Sequence, residues 1–216
     1  VGIPEDAAGN FDFAALGELL DTIEKMGQRP RLKALYLVSY YANPSARCLP
    51  RAQKEALAQY LAGRGLRLPV IEDGAYRDLY FGEPYAAPGV LGLEAFAGFP
   101  RFYLGTFTKP FATGLKVGFG VCNHADWRER MLAVKGHQDF GTANMNQCLI
   151  ERLLQTGRYP EYLAVARAHY AGKARAMEAA LRGAGLAGQG WRWEVPEGGL
   201  LYWLEGPEGL DTGAEG

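Results

Sequence analysis

The sequence is poor in the two residue types that build disulfide frameworks and many metal sites, with only three cysteines and three histidines in 216 residues. Cys48, Cys122 and Cys148 form no Cys-x-x-Cys pair, and their odd number leaves one over in any pairing scheme. They therefore fit reduced thiols in a reducing compartment. The histidines show no metal-ligand spacing with the cysteines, so we predict no metal site.

The sequence also lacks an excess of charge of either sign. Its 23 Lys and Arg residues nearly balance 24 Asp and Glu residues, which gives a formal net charge of −1 without charge blocks. This pattern argues against nucleic-acid binding by this segment and against an anionic membrane as a partner. No apolar run approaches the ~18 residues of a membrane span, and residues 1–10 lack the basic and apolar regions of a signal peptide. We therefore expect a cytoplasmic protein whose partners are small molecules or other proteins.

What the sequence has in quantity is apolar residues, 48% hydrophobic and 12% aromatic, enough to bury a core. Apolar residues at helical spacing follow Asp12 and predict a helix with Asp12 as its N-cap. The same spacing after Pro50 predicts a second helix that begins there. Four short apolar runs alternate with these helices: "KALYLVSYY", "LPVIEDGAY", "RFYLGTFTK" and "KVGFGVC". The last two follow each other closely enough to pair as neighbouring strands. This rhythm is typical of an α/β domain with a largely parallel sheet.

The second half of the sequence is mainly helical. Three helical patterns lie within residues 125–185, and the last of them is long. Two strand-like runs around a Pro/Gly turn follow in "WRWEVPEGGLLYWLE", residues 191–205. We interpret these runs as the start of a second, smaller layer.

Polar residues stand at the end of three of the strand-like runs. Ligands of open α/β sheets bind at the carboxyl ends of the strands, so these residues are candidates for one site. They are Asn43 after the first run, Asp73 and Tyr76 after the second, and Thr106, Thr108 and Lys109 after the third. Taken singly, each also fits a structural role, such as a turn at "NP" or a solvated strand end at "ED".

Lys109 lies in "GTFTKPFATGLKVGFG", residues 105–120, an apolar and glycine-rich run that we predict to be buried. Burying a lysine is costly unless its charge is paired or removed, and burial pushes the pKa of a lysine toward the range where the free amine is a nucleophile. The alternative is that Lys109 lies at a strand end with its ammonium in water. The residues alone leave both interpretations open.

The order of these motifs resembles the class I/II pyridoxal-phosphate-dependent aminotransferases of fold type I. Within that family it is most similar to the 2-aminoadipate and multisubstrate aromatic aminotransferase group. The resemblance rests on "NPSA" in place of NPTG, the Asp-x-x-Tyr unit of "EDGAYRDLYF", "TFTK" in place of Ser-x-Ser-Lys, "TGLKVG" and "VPEGGLLYWLEGPEGLDT". It implies a three-layer α/β/α fold with a mostly parallel sheet and the start of a smaller α+β C-terminal domain. Residues 1–158 would form part of the cofactor-binding large domain, and residues 159–216 the long connecting helix and the beginning of the small domain.

The resemblance also assigns roles to the strand-end residues. Lys109 would hold pyridoxal 5′-phosphate as a Schiff base and, once displaced by the substrate amine, act as general base and acid. Asp73 would face the pyridine nitrogen and favour its protonated form. Tyr76 and Asn43 would donate to the 3′-oxygen of the ring.

Three further positions would contact the cofactor phosphate: Thr106, Thr108 and Lys116. The family has arginine at the position of Lys116, and a lysine offers a point charge instead of a planar fork, so we expect weaker cofactor retention. "NPSA" places Ala46 where the family has glycine, at a backbone position with free φ. The family also implies a cis peptide bond between Asn43 and Pro44.

The activity implied is transfer of an amino group between an amino acid and a 2-oxo acid in a biosynthetic process, by a homodimer. Members of the family have about twice the length of one ~200-residue domain. We therefore expect an internal fragment or a truncated relative, which alone is not a self-sufficient enzyme. Two alternatives stay open: the effector-binding domain of a winged-helix transcription regulator, and a truncated non-catalytic relative.

Overall fold

The computed structural model of the protein describes residues 1–211. Within them, helices and short strands alternate along the first half, and three helices dominate the second half. The helices are α1 (Phe13–Lys25), α2 (Arg51–Gly63), α3 (Ala125–Asp139), α4 (Asn144–Gln155) and α5 (Arg158–Gly183). The strands are β1 (Leu35–Val38), β2 (Val70–Asp73), β3 (Arg101–Thr106), β4 (Gly118–Cys122), β5 (Arg192–Trp193) and β6 (Leu204–Glu205).

The first four strands form one sheet in the order β1-β2-β3-β4. Strands β1, β2 and β3 are parallel, and β4 runs antiparallel to β3, its neighbour along the chain. This confirms the predicted α/β class, the mostly parallel sheet and the pairing of the last two runs. Strands β5 and β6 form a separate antiparallel pair, as the alternation around the Pro/Gly turn predicts.

One face of the sheet packs against α1 and α2. Strand alternation points Leu35, Leu37 and Val70 into this layer, where they meet apolar side chains of both helices. Helix α1 begins where predicted, because the Asp12 side chain accepts hydrogen bonds from the backbone N–H groups of residues 14 and 15, each at 3.0 Å. The opposite face carries Tyr36, whose surface is 55% exposed. The two faces of the sheet therefore differ sharply in burial.

A buried ion pair joins α2 to β2. The ammonium of Lys54 donates to Glu72 Oε1 at 2.9 Å and to the carbonyl of Pro88 at 3.0 Å, and both charged side chains have 0% exposure. The Tyr40 ring lies 4.7 Å from the ammonium. Glu72 Oε2 in turn accepts from the backbone N–H of Val90 at 2.8 Å. Burial lowers the pKa of Lys54, and the Glu72 carboxylate counteracts part of that shift.

This pair corrects the interpretation of "ED" as a solvated strand end. Glu72 is completely buried, because its charge is paired with Lys54 and its second oxygen is satisfied by backbone. Lys54 lies on the apolar face of α2 with Leu57 and Leu61, at helical spacing. The pair therefore connects helix, strand and the segment at residues 88–90.

We expect Lys54→Met to lower the free energy of unfolding at pH 7 by about 3–5 kcal/mol, because it leaves the Glu72 carboxylate buried without its partner. Urea unfolding of the variant and the parent protein measures the difference. The double variant Lys54→Met with Glu72→Leu should recover most of the loss, since no unpaired charge stays in the core. Arg51→Ala is the matched control: it breaks the pair with Glu55, but the Arg51 side chain is 65% exposed, so the change should stay under about 1 kcal/mol. A Lys54→Met loss no larger than that of the control would contradict this account.

Candidate functional site

The candidate residues on β2 and β3 lie at one edge of the sheet. Asp73 is the last residue of β2 and pairs in register with Leu104, while Thr106 is the last residue of β3. Because the two strands are parallel, both residues lie at the same carboxyl edge. Tyr76 follows in the turn after β2, and Lys109 in the turns after β3.

Lys109 is exposed, which bears out the second interpretation, a lysine at a strand end with its ammonium in water, and not the buried lysine. Strand β3 ends at Thr106, and turns occupy residues 107–115, with the N–H of Phe111 donating to the carbonyl of Phe107 at 3.1 Å. The apolar run is therefore not one continuous buried strand, and the lysine side chain emerges at the open edge. Its ammonium lies 6.0 Å from the centre of the Tyr76 ring, so the structure brings these two candidates together.

The Asp73 carboxylate is held by a donor at each oxygen. Oδ1 accepts from the backbone N–H of Ala75 at 2.8 Å, and Oδ2 accepts from the hydroxyl of Tyr36 at 2.5 Å. Burial, then the hydrogen bond to Asp73 and its negative charge, raises the pKa of Tyr36 to about 12. Each carboxylate oxygen retains a second lone pair, so Asp73 can accept one more hydrogen bond from a cationic N–H.

Of the three predicted phosphate contacts, Thr106 ends β3, and Thr108 and Lys116 lie in the segment between β3 and β4. The Thr106 hydroxyl donates to the carbonyl of Val117 at 3.2 Å and accepts from the backbone N–H of Thr108 at 3.0 Å. Lys116, next to Val117, is exposed and has a φ of 52°, in the left-handed region. Because the Thr106 proton is directed at Val117, this hydroxyl has to rotate before it can donate to an anion.

The loop at Asn43 has the geometry that the resemblance implies. The Asn43–Pro44 peptide bond is cis, and Ala46 has a φ of 59° where the family has glycine. An alanine in this conformation costs about 1–2 kcal/mol, and the loop adopts it all the same, with the N–H of Ala46 donating to the carbonyl of Ala42 at 2.6 Å. The substitution therefore leaves the left-handed turn intact.

Asn43 itself is exposed and lines a cleft of about 890 Å³ between β1 and residues 194–197. Asp73, Tyr76 and Lys109 do not line that cleft. The structure thus brings Lys109 to Tyr76, and Asp73 to the same edge as Thr106, whereas Asn43 lines this cleft together with Tyr36, whose hydroxyl donates to Asp73. The convergence of all of them on one pocket stays a prediction.

Sequence reasoning missed a segment, residues 197–199, that packs against the chain after Tyr76 and against Tyr41. The N–H of Phe81 donates to the carbonyl of Glu197 at 2.8 Å, and the N–H of Gly199 donates to the carbonyl of Leu79 at 2.8 Å. Residues 197–199 therefore pair with the chain that follows Tyr76. The same segment lies on Tyr41, two residues before Asn43: a Cβ built on Gly198 would lie 2.6 Å from a Tyr41 ring carbon and 2.7 Å from the Leu79 carbonyl oxygen. The double glycine in "PEGGLL" was the available signal for this close approach.

The donor set at the edge fits pyridoxal 5′-phosphate. Lys109 offers an exposed amine, and the Asp73 carboxylate, fixed at both oxygens, has lone pairs for a protonated ring nitrogen. Tyr76 offers a phenol beside Lys109, and Lys116 offers a cation for a phosphate group. Among residues 1–211, no group of three or more His, Cys, Asp or Glu side chains is arranged to hold a metal ion. No helix in the same part of the chain is long and apolar enough to cross a membrane.

Comparison with known proteins identifies the relatives of this chain. The sequence profile described as aminotransferase class I and II matches residues 4–212. The 2-aminoadipate transaminase of Thermus thermophilus is 37% identical over 197 residues, which are 91% of this chain and 48% of that protein. The aromatic-amino-acid aminotransferase 1 of Thermococcus litoralis is 29% identical over 98% of this chain and 48% of its own length. The chain therefore spans about half the length of the curated relatives it matches.

The fold has the same relatives. The crystal structure of LysN, the α-aminoadipate aminotransferase of Thermus thermophilus complexed with N-(5′-phosphopyridoxyl)-L-leucine, superposes with a TM-score of 0.80 at 36% identity. The match covers 98% of this chain and 51% of that structure. Transcriptional regulators are more distant relatives: NorG of Staphylococcus aureus is 26% identical over 86% of this chain.

We expect Gly198→Ala to lower the free energy of unfolding by about 1–3 kcal/mol, because the added methyl group overlaps Tyr41 and the backbone of Leu79. Urea unfolding tests this. Gly183→Ala is the control: it lies at the end of α5 with open space around its Cβ position, and it should be neutral or stabilising by up to about 1 kcal/mol. Equal stability of both variants would show that segment 197–199 does not approach Tyr41 this closely.

Proposed function

Because this chain belongs to the aminotransferase class I and II family, we propose that the protein transfers an amino group between an amino acid and a 2-oxo acid, with pyridoxal 5′-phosphate held on Lys109 as a Schiff base. The observation that carries the proposal is the grouping at the carboxyl edge of β2 and β3, where the Lys109 ammonium lies 6.0 Å from the Tyr76 ring and Asp73 ends the neighbouring strand. The exposure of the lysine supports it, because the amine is open to a reacting carbonyl.

Each group at the edge has a role in this proposal. When bound, the cofactor supplies an electron sink for the charge that develops when a substrate Cα loses its proton. Asp73 would hold the protonated ring nitrogen, because a negative charge favours that proton. Tyr76 and Asn43 would donate to the ring 3′-oxygen. Once the substrate amine has displaced it from the cofactor, Lys109 Nζ would be a free amine that takes the proton from the substrate Cα as general base and later returns it as general acid.

The phosphate would be held by the end of β3 and the segment that follows it. Lys116 supplies the cation, Thr108 a hydroxyl, and Thr106 a second hydroxyl after rotation away from Val117. Lysine lacks the fork of an arginine, so this site binds phosphate by charge more than by paired hydrogen bonds.

The remaining features of the proposal rest on the family. Residues 1–158 would be part of the cofactor-binding large domain, and residues 159–216 the connecting helix and the start of the small domain. The start of α5 at Arg158 supports that division. The protein would be a cytoplasmic homodimer with amino acids and 2-oxo acids as its substrates, in a biosynthetic process.

A second candidate function is the effector-binding domain of a winged-helix regulator. Its support is the relationship to transcriptional regulators such as NorG, at 26% identity. The 37% identity to a transaminase and the full set of Lys109, Asp73 and Tyr76 favour the enzyme. A winged-helix segment encoded upstream of Val1 would favour the regulator instead.

We expect Lys109→Ala to remove the visible absorption band of the cofactor-loaded full-length protein and to lower transaminase activity by at least about 100-fold, because both the linkage and the proton carrier are lost. Borohydride reduction of the parent protein, followed by peptide mass spectrometry, should place the added mass on Lys109. Lys25→Ala, at an exposed lysine at the end of α1, is the control and should keep both band and activity. A reduced cofactor attached to a different lysine would contradict the proposal.

We expect Lys116→Arg to tighten cofactor binding by about 3- to 10-fold, because a guanidinium can meet two phosphate oxygens at once. Lys116→Ala should weaken binding, since the cation is removed. Titration of cofactor-free full-length protein, followed by absorbance, gives the dissociation constants. If both variants bind as tightly as the parent protein, Lys116 does not contact the phosphate.

A further inference from the structure

Tyr36 contacts the candidate site, although it lies in the middle of β1. In the parallel register Tyr36 pairs with Ile71 and Val38 pairs with Asp73, so Tyr36 and Asp73 share one face of the sheet. The phenol reaches along that face and donates to Asp73 Oδ2 at 2.5 Å. On the opposite face, Leu35 and Leu37 are buried in the core, so β1 itself is firmly held.

The two hydrogen bonds to Asp73 constrain its carboxylate in different ways. The bond from the Ala75 N–H is part of the local turn and holds Oδ1 close to the backbone. The bond from Tyr36 comes from another strand and fixes the rotation of the carboxylate about its last torsion angle. Hydrogen bonds to a charged acceptor are stronger than neutral ones and favour the ionised form of the carboxylate.

We propose that Tyr36 is a positioning residue for Asp73, which orients the carboxylate toward the cofactor nitrogen. The inference rests on the proposed function, in which Asp73 holds that nitrogen. The Tyr36 hydroxyl donates to Asp73 on β2, and Tyr76 in the turn after β2 is near enough to contribute to the raised pKa of Tyr36. Tyr36 also lines the cleft that contains Glu5, Arg47, Glu194 and Glu197. Without Tyr36, Asp73 would keep its backbone hydrogen bond but lose the hydroxyl donor. The Asp73 carboxylate would then compete more strongly with the cofactor ring nitrogen for the proton between them.

The contact itself can be tested without cofactor. In full-length protein with ¹³Cζ-labelled tyrosine, the Tyr36 signal is the one absent from Tyr36→Phe. Asp73→Asn removes a negative charge next to the phenol, so we expect the pKa of Tyr36 to fall from about 12 by about one pH unit while burial keeps it above its ordinary value of 10.0. An unchanged Tyr36 pKa would show that the two side chains do not interact, and would overturn the inference.

The role is tested in the cofactor-loaded protein, by a pH titration of its visible absorption band. In Tyr36→Phe, Asp73 takes a larger share of the ring proton, so the ring withdraws fewer electrons from the Lys109 linkage. We expect the midpoint of the titration to rise by about one pH unit, and the dissociation constant of the cofactor to rise about 3- to 10-fold. A purely structural role of the hydroxyl would not shift the midpoint.

Tyr202→Phe is the matched control. It also removes a phenol that donates to an oxygen, the carbonyl of Ala174 at 2.8 Å, but that contact lies between α5 and the C-terminal segment. Its titration midpoint should equal that of the parent protein. If Asp73→Asn shifts the midpoint and Tyr36→Phe does not, the inference about Tyr36 is wrong and the proposed function stands. If the parent protein forms no borohydride-reducible linkage at Lys109, the proposed function is wrong and this inference with it.

Discussion

The buried ion pair between Lys54 and Glu72 fixes the position of the candidate site. Glu72 and Asp73 are consecutive residues of β2, so strand alternation sends one carboxylate into the helix layer and the other to the open face. A register slip of one residue would exchange the two faces and bury the wrong acid. The cation that meets Glu72 in the helix layer is Lys54, at 2.9 Å, so the pair selects the register in which Asp73 faces outward. Removing either charge would leave the other buried in the core without a partner, which is strongly destabilising.

The candidate site lies at the edge of the sheet where the parallel strands of this register end. Parallel β1, β2 and β3 end on the same side, and the turns after them carry Tyr76 and Lys109 to within 6.0 Å of each other. The segment at residues 197–199 hydrogen-bonds to the chain after Tyr76 and packs through its glycines on Tyr41. The sheet thus supports the groups proposed to act on the cofactor, and residues 197–199 support the chain that follows Tyr76. Rigid support of this kind is what a preorganised site requires.

Short-range sequence patterns predicted the helices and strands of this fold well. They did not predict the contacts between residues that are far apart in the sequence. The Asp12 cap, the helix after Pro50, the four strand-like runs and the strand-end positions of Asp73 and Thr106 all follow from spacing and short-range chemistry. The cis bond at Asn43 followed from the family resemblance. The sequence left burial and exposure of Lys109 open, and the structure shows exposure, because apolar composition does not show where a strand gives way to turns. Tyr36 and Lys54 were missed for a different reason: their partners Asp73 and Glu72 lie 37 and 18 residues away, and periodicity reports which face a side chain occupies without naming what it meets there.

We propose that the carboxyl edge of β2 and β3 binds pyridoxal 5′-phosphate through Lys109 and Asp73. A crystal structure of the full-length protein grown with the cofactor tests it most directly. The account predicts electron density continuous with Lys109 Nζ and a ring nitrogen within hydrogen-bonding distance, roughly 2.7–3.2 Å, of the Asp73 carboxylate. Density joined to another lysine, or a ring whose nitrogen points away from Asp73, would contradict it.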